Sequence, residues 1–268
     1  MSWRLALFLL ALPVRAGADP GAVVVDLTYD GYRSGFHVLT LHSEMLMAPS
    51  GYRIALSGHT AGMVGLLYHA NWQSWADGTW TDSGVQPLHF DTAGVFGGQP
   101  RHVAIEYERG APVIHTLEPA DDGEHTPVPP GMAQHTIDSL SITALVIHQV
   151  AMLGRCEGQV TTFDGRQLQT MALQASGAEY LPVISRSSWS GPTLRCELDA
   201  HVLAGFYRGD SSEAARIRGD TIWLGSVLPG VPPLPVRSTT TTHHLGRLTI
   251  YLTGASLRNA ATLTAKAP

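Results

Sequence analysis

The sequence has few of the features that mark several large functional classes. Only 15% of its 268 residues are charged, against about a quarter in typical proteins, and the formal net charge is −5. Lysine and arginine are scattered and form no basic stripe. Nucleic-acid binding relies on clustered cations that neutralise phosphates, so we expect no nucleic-acid partner.

Signatures of catalysis and metal binding are also missing. The chain contains no Gly-x-Ser-x-Gly, Ser-x-x-Lys or His-Glu-x-x-His motif. Its thirteen histidines include the pair His243 and His244, but strand neighbours point to opposite faces and cannot share one ion. His125 lies in a polar segment with no glutamate or cysteine at a recognised spacing. We therefore predict no metal site and no cofactor.

One group of residues leaves room for a hydrolase. His135, Asp138, Ser139 and Ser141 lie close together in the sequence and could form a triad. Aspartate and serine are also the residue types that cap the amino terminus of a helix, and we favour that interpretation. The sequence predicts no catalytic residue.

The amino-terminal residues have the pattern of an export signal. Arg4 precedes an apolar run from Leu5 to Val14, and small residues at 16–18 precede Asp19. The alternative is a membrane anchor, but the run is about half of the roughly 20 residues that a spanning helix needs. We predict a signal peptide over residues 1–18 and a protein free in the periplasm, or secreted, near the membrane.

The chain has only two cysteines, Cys156 and Cys196. A redox-active pair is usually spaced Cys-x-x-Cys at a helix start, which this pair is not. Two cysteines in an oxidising compartment normally pair, so we predict a structural disulfide, with two free buried thiols as the alternative. Closing a loop of about 40 residues stabilises a fold by roughly 4 kcal/mol.

Alternation of apolar and polar residues dominates the rest of the sequence. Val23, Val25, Leu27 and Tyr29 share one face of a half-buried strand. The same period recurs in segments beginning near residues 39, 52, 103, 194 and 248, separated by turn residues. This pattern predicts a mainly β fold with a curved antiparallel sheet or open half-barrel, in one domain over residues 19–254 with a flexible tail over 255–268.

One segment, TIDSLSITALVIHQVAMLG, has helical spacing instead and predicts the principal helix over residues 136–153. Thr136 or Asp138 can cap its first turn, and Gly154 can end it. The segment is apolar around most of its circumference, so we expect sheet to wrap around it. Residues 118–134 predict a mobile loop, and Asp164-Gly165 predicts a two-residue hairpin turn.

Four segments together resemble a known family. They are TIDSLSITAL, CEGQVTTFDGR, RCELDAHVLAGF and PVRSTTTTHHLGRLTIYL, and their order is similar to that in domain-of-unknown-function family 3108, a group of exported bacterial proteins. The resemblance covers the chain from about Tyr29 to Leu252. Members mostly lack an assigned activity. The resemblance implies a curved sheet folded about a helix, similar to the open half-barrels of periplasmic lipoprotein carriers.

The predicted function is therefore non-catalytic binding of a lipid or other apolar ligand in the cell envelope. Methionines adapt to irregular ligands, and clefts at the mouths of β structures are common binding sites. An envelope scaffold or a polysaccharide-binding protein is the alternative, and a hydrolase is a more distant one. The candidate ligand-binding residues are apolar or aromatic: Met45, Met47, Met63, Leu66, Trp72 and Trp75.

Overall fold

The computed structural model describes residues 21–82, 84–209 and 219–258. The signal peptide predicted over residues 1–18 lies outside this part of the chain. The described residues form two helices, α1 (Gly62–Leu67) and α2 (Ser141–Leu153), and thirteen strands. The strands are β1 (Val23–Arg33), β2 (Phe36–Ala48), β3 (Gly51–Thr60), β4 (Ala70–Thr81), β5 (Gly84–Phe96), β6 (Gln99–Glu108), β7 (Ala111–Glu118), β8 (Glu157–Phe163), β9 (Leu168–Leu181), β10 (Gly191–Ala204), β11 (Gly219–Gly225), β12 (Leu234–Thr242) and β13 (Gly246–Arg258).

All thirteen strands belong to one antiparallel sheet. Their order is β7-β6-β5-β4-β3-β2-β1-β13-β12-β11-β10-β9-β8, so β7 and β8 are the two edges of an open sheet. Each neighbouring pair is consecutive in the chain except β1 and β13, in which the first strand pairs with the last. The predicted mainly β, antiparallel fold is confirmed.

The alternation in the sequence accounts for the two faces of the sheet. In β1, Val25 and Leu27 are fully buried and Tyr29 is nearly so, whereas Thr28 between them is exposed. Side chains two residues apart point to the same face of a strand, so the apolar set enters the core together. Strands across the whole sheet contribute to this one core cluster.

Because the strands alternate in direction, the connections alternate between the two ends of the sheet. The turn at residues 34–35, α1, the turn at 97–98 and the turn at 243–245 follow β1, β3, β5 and β12 and lie at the same end. We call this the α1 end. The connections after β7, β8 and β10 also begin there.

Helix α2 starts five residues later than predicted, at Ser141 instead of Thr136. Ile137 forms a parallel bridge with Thr162 of the edge strand β8. Its N–H donates to the Thr161 carbonyl (3.0 Å), and its own carbonyl accepts from the Phe163 N–H (2.9 Å). The unpaired edge of β8 therefore holds this segment in an extended conformation that the local sequence does not reveal.

The ends of α2 follow the predicted capping chemistry. Asp138 Oδ1 accepts the N–H groups of Leu140 (2.9 Å) and Ser141 (2.8 Å), and its Oδ2 accepts the Ser141 hydroxyl. Gly154 ends the helix with φ of +67°, a left-handed conformation that favours glycine. Asp138 is the capping residue, and its side chain is fully buried.

Helix α2 packs against β3, β4 and β5. The His148 ring stacks on Trp80 of β4, with ring centroids 4.5 Å apart. The residues that the helix buries lie on more than one face and are Ser141, Ile142, Ala144, Leu145, Val146, Ile147 and Val150. Neither helix of the described residues has the length and apolar character that crossing a membrane requires.

The predicted disulfide between Cys156 and Cys196 is confirmed. Cys156 lies just after α2 and before β8, and Cys196 lies in β10, with a Cα–Cα distance of 6.1 Å. Both cysteines are fully buried. The bridge therefore ties the carboxyl end of α2 to the sheet.

Two local predictions need correction. The connection between β8 and β9 has four residues, 164–167, because Phe163 pairs with Leu168. Asp164 Oδ1 accepts the N–H groups of Arg166 and Gln167 (2.9 and 2.8 Å), which stabilises the longer turn. The expected tail over 255–268 begins too early, since residues 255–258 pair with β1, and the remainder lies outside the described residues.

Loss of the disulfide should destabilise the fold. We expect Cys156→Ala/Cys196→Ala to lower the free energy of unfolding by about 2–4 kcal/mol, because the unfolded chain regains the freedom of a 40-residue loop. Urea unfolding of the variant and of the wild type, each with and without reductant, measures this. Reductant should lower the stability of the wild type to that of the variant and leave the stability of the variant unchanged. Equal stability of wild type and variant without reductant would contradict the prediction.

Asp138 should make stability depend on pH. Burial raises the pKa of Asp138 from 3.8 to about 6, against the opposing effect of its hydrogen bonds. The folded protein therefore binds this proton more tightly than the unfolded chain does. Its stabilisation is complete below about pH 4 and is lost as the pH rises through about 6.

The wild type should lose unfolding free energy as the pH rises from 4 to 7, and Asp138→Asn should lose less. The difference should be up to about 3 kcal/mol, because the pKa of Asp138 is raised by roughly two units. Urea titrations at four pH values measure the slope. Asp220→Asn is a second, independent test. Burial also raises the pKa of Asp220 to about 6, so this variant should likewise reduce the dependence of stability on pH. If the stability of Asp138→Asn depended on pH as steeply as that of the wild type, the raised pKa would not belong to Asp138.

Candidate functional site

A cleft of about 340 Å³ opens at the α1 end, between the inner face of the sheet and the start of α2. We call it the aromatic cleft. Strands β3 to β6 supply its inner wall, and five connections supply its mouth. The lining residues are Leu56, Tyr68, Trp72, Ser74, Phe90, Thr92, Phe96, Arg101, Val103, His125, Ser139, Leu140, Asp164, Arg166, Gln167, Tyr207 and His244.

The position of Trp72 follows from two glycines on the neighbouring strands. Trp72 of β4 pairs with Gly58 of β3 on one side and Gly94 of β5 on the other. A Cβ atom at Gly58 would come within 2.5 Å of the indole, and one at Gly94 within 2.6 Å of the Trp72 Cβ. The two glycines leave the space that the tryptophan occupies, and Phe96 lies beside it at 5.7 Å.

Ion pairs surround the mouth of the aromatic cleft. Arg101 donates to Glu124 Oε1 at 2.6 Å, and Asp122 Oδ2 lies between Arg101 (3.7 Å) and Arg166 (3.6 Å). The Asp122 side chain is only 2% exposed, and its Oδ2 also lies 2.7 Å from His125 Nδ1. The long loop after β7 is thereby fastened across the open side of the sheet.

The carboxylates of this network keep their charge. Desolvation alone would raise the pKa of Asp122, but hydrogen bonds from the His125 and Glu124 N–H groups and the His125 ring lower it below its ordinary value. Desolvation also opposes ionisation of Glu124, and the Arg101 guanidinium lowers its pKa. The carboxylates at the mouth are therefore paired with cations, whereas Arg101 Nε and Glu124 Oε2 are buried without a hydrogen-bond partner among the described residues.

Stacked rings form the remainder of the mouth. Tyr207 lies against His243 (centroids 3.9 Å apart) and His125 (4.2 Å), and Tyr68 stacks on His244 (4.7 Å). Burial raises the pKa of Tyr207 to about 12, so its hydroxyl stays neutral. His243 and His244 lie in a turn, not in the strand that the sequence analysis assumed.

Asp122, Glu124 and His125 bring potential metal-ligating atoms within 4.8 Å of one another. Asp122 and Glu124 already accept the guanidinium groups of Arg101 and Arg166. Two guanidinium groups beside the same oxygens oppose a bound cation. We describe this group as an ion-pair network and propose no metal site there.

The six predicted ligand-binding residues separate into four places. Trp72 alone lines the aromatic cleft. Met63 and Leu66 lie on α1 with 72% and 87% of their surface exposed. Met45 and Met47 face α2, where the remaining space measures about 10 Å³, roughly one water molecule.

Trp75 lies on the opposite face of β4 from Trp72, as the sequence indicates. The Arg53 guanidinium covers its ring at 4.6 Å from the centroid. This cation–π contact occupies the ring face that a sugar would use.

The group suggested for a hydrolase is arranged as a cap and not as a triad. The Ser141 hydroxyl is buried, donates to Asp138 and accepts from the Tyr52 hydroxyl at 2.6 Å. Neither partner is a histidine. Ser139 and His135 are exposed, and Asp138 has its oxygens committed to the helix start.

A second cleft, of about 440 Å³, adjoins the first and shares His125 and Arg166 with it. Its walls are the edge strand β7 and the proline-rich loop, including Pro127, Pro129 and Pro130. Phe163 is the main residue that the inner face of the sheet contributes to this second cleft. The aromatic cleft is therefore the better candidate, because rigid strands position its apolar wall.

The fold and the cleft define an open, barrel-like antiparallel β protein with an apolar cleft at one end. One solved structure similar to it is titled "Crystal Structure of Beta-barrel-like Protein of Domain of Unknown Function DUF1849 from Brucella abortus". The similarity has a TM-score of 0.55 and 11% sequence identity, and covers 88% of this chain and 98% of that chain. At this identity it bears on the fold alone.

The chain belongs to the family described as "Protein of unknown function (DUF3108)", whose match covers residues 25–231. The resemblance found in the sequence is thereby confirmed. A comparison with curated proteins finds no match.

Sequence reasoning missed most of the mouth of the cleft, including Arg101, Asp122, Glu124 and Tyr207. Arg101 lies in β6, and the other three lie in the connections after β7 and β10, far apart in the chain. The available signal was the alternation of turns in an antiparallel meander, which places every second connection at the same end of the sheet.

Proposed function

We propose that this is an exported, non-catalytic protein that binds a lipid or other apolar ligand in the aromatic cleft. The observation that carries the proposal is the apolar part of the lining, which is formed by Leu56, Trp72, Phe90, Phe96 and Val103 of the sheet and by Leu140 at the start of α2. Ligand pockets are typically concave, mostly apolar and about 300–1,000 Å³ in volume. The cleft, at about 340 Å³, lies at the lower end of this range.

The charges at the mouth favour an uncharged ligand group inside. Arg101 pairs with Glu124 and Asp122, and Arg166 pairs with Asp122, so the charge of each guanidinium is already offset. A ligand acid would have to displace an existing ion pair. An apolar group needs only to replace water against Trp72 and Phe96, which the hydrophobic effect favours.

Export and the barrel-like shape belong to the same proposal. The signal-like residues 1–18 and the Cys156–Cys196 disulfide support release into an oxidising compartment, such as the periplasm. We also propose that the sheet curves around α2, since the helix buries side chains on several of its faces. The helix then fills the far part of the interior and leaves the α1 end open.

Trp72 should contribute to binding, and Trp75 should not. We expect the neutral fluorophore N-phenyl-1-naphthylamine to bind the wild type, and Trp72→Ala to weaken the binding about tenfold, because a large apolar contact is lost. Fluorescence titration gives the Kd. Trp75→Ala is the matched control on the opposite face of the same strand and should leave the Kd unchanged.

Organic extraction and mass spectrometry of the exported protein would then identify what it carries. A stoichiometric apolar compound lost in Trp72→Ala would support the proposal. Absence of fluorophore binding by the wild type, or equal effects of the two tryptophan variants, would sink it. Failure to bind would favour the alternative of an envelope scaffold.

A further inference from the structure

Helix α1 exposes apolar side chains that the fold does not cover. Leu66 and Leu67 have 87% and 90% of their surface exposed, and Met63 has 72%. Phe36, at the start of the neighbouring strand β2, is 66% exposed. We call these four residues the α1 face. Scattered exposed apolar residues are ordinary, but four large ones grouped around one short helix indicate an interaction surface.

The helix is held firmly in this orientation. The Ala61 N–H donates to the Val38 carbonyl at 2.9 Å, which ties the start of α1 to β2. Gly62 adopts φ of +60°, and a Cβ there would lie 2.7 Å from the His37 carbonyl oxygen. On the inward side, Val64 packs against the buried pair Val38 and Leu248. The leucines therefore point outward because the other side of α1 is anchored.

Three arginines lie around the α1 face, and two acidic residues beside it are already paired. Asp30 lies 3.2 Å from His37, which follows Phe36, and Glu124 pairs with Arg101 and lies 3.5 Å from His244. Arg33 and Arg247 are exposed on β1 and β13 at the α1 end, and the Arg186 guanidinium donates to the Gly35 carbonyl in the adjacent turn. A Cβ at Gly246 would lie 3.6 Å from the Arg33 guanidinium, which places Arg33 beside the turn at 243–245.

The α1 face also adjoins the mouth of the aromatic cleft. Tyr68 directly follows α1, lines the cleft and stacks on His244. Trp72 lies four residues further on, and it also contacts the small apolar cluster under α1. A surface that takes up the leucines of α1 would therefore lie against the opening of the cleft.

We propose that the α1 face docks on a membrane surface that contains anionic phospholipid. Leucine, methionine and phenylalanine would enter the boundary between headgroups and acyl chains, while Arg33, Arg186 and Arg247 would lie near the phosphates. The combination of protruding apolar residues with three exposed arginines nearby matches such a surface in both polarity and charge. Docking does not depend on the proposed ligand, since it is measured without one.

Vesicle co-sedimentation tests the proposal with the exported protein. Vesicles of phosphatidylcholine alone are compared with an equal mixture of phosphatidylcholine and phosphatidylglycerol. We expect binding to the mixed vesicles that weakens as salt is added. Leu66→Ser/Leu67→Ser should reduce the partition coefficient by about tenfold per leucine. Arg33→Gln/Arg247→Gln should reduce it by about fivefold per arginine, on the mixed vesicles alone.

The matched control is Met152→Ser. Met152 is 70% exposed near the carboxyl end of α2, at the opposite end of the molecule from the cleft, so its loss should leave binding unchanged. Wild-type protein that ignores both vesicle types, or a leucine variant that binds like the wild type, would overturn the proposal. Self-association of the wild type that the leucine variant abolishes, without vesicle binding, would also overturn it and assign the α1 face to a second copy of the chain.

These results separate the two proposals. Trp72→Ala should bind vesicles normally while losing the fluorophore, and Leu66→Ser/Leu67→Ser should show the reverse. Each variant therefore also serves as the folding control for the other.

Discussion

The pairing of the last strand with the first is the constraint on which the architecture depends. Residues Val24 to Tyr32 of β1 pair with residues 249–258 of β13, with one register shift between Thr28 and Tyr29, across more than two hundred residues of chain. Without this ladder the protein would consist of two separate meanders, β1–β7 and β8–β13. With it, the two outer strands of the joined sheet are β7 and β8, and the chain between them must cross from one edge to the other. The long loop and α2 form that crossing, so their position follows from the pairing of β1 with β13.

The same constraint produces the cleft. In a joined meander every second connection lies at the same end, which gathers charged and aromatic residues from five separate connections at the α1 end. Helix α2 enters from that end with Asp138 buried beneath its first turn, and its apolar side chains fill the interior beyond it. Gly58 and Gly94 carry no side chain and leave room for Trp72 on the wall of the cleft, and the space in front of the helix start stays open. The cleft is thus a consequence of where the helix starts.

Sequence patterns predicted the features that depend on neighbouring residues alone. Alternation of apolar and polar residues predicted the strands, and Gly154 predicted the end of α2. The expected oxidising compartment predicted the disulfide between Cys156 and Cys196. The start of α2 could not be read in this way, because Thr136 and Asp138 are equally good capping residues and the choice between them is made by the distant edge strand β8. The four-residue turn at 164–167 likewise depends on Asp164 accepting two N–H groups, which a two-residue turn would not allow. The cleft required the topology, which no single segment contains.

The methionines and leucines that the sequence indicated for ligand binding show how one property can serve different purposes. Met45 and Met47 are flexible apolar side chains, and the structure uses them to fill the irregular gap between β2 and α2 almost completely. Met63 and Leu66 have the same chemistry but face solvent, because Gly62 turns the chain outward after β3 and Val64 takes the inward position. Composition alone cannot separate these cases, since burial is decided by which side of a short helix the sheet can reach. A group of apolar residues that the fold holds outward together, such as those of α1, is the observation that favours an interaction surface, whereas single exposed ones are ordinary.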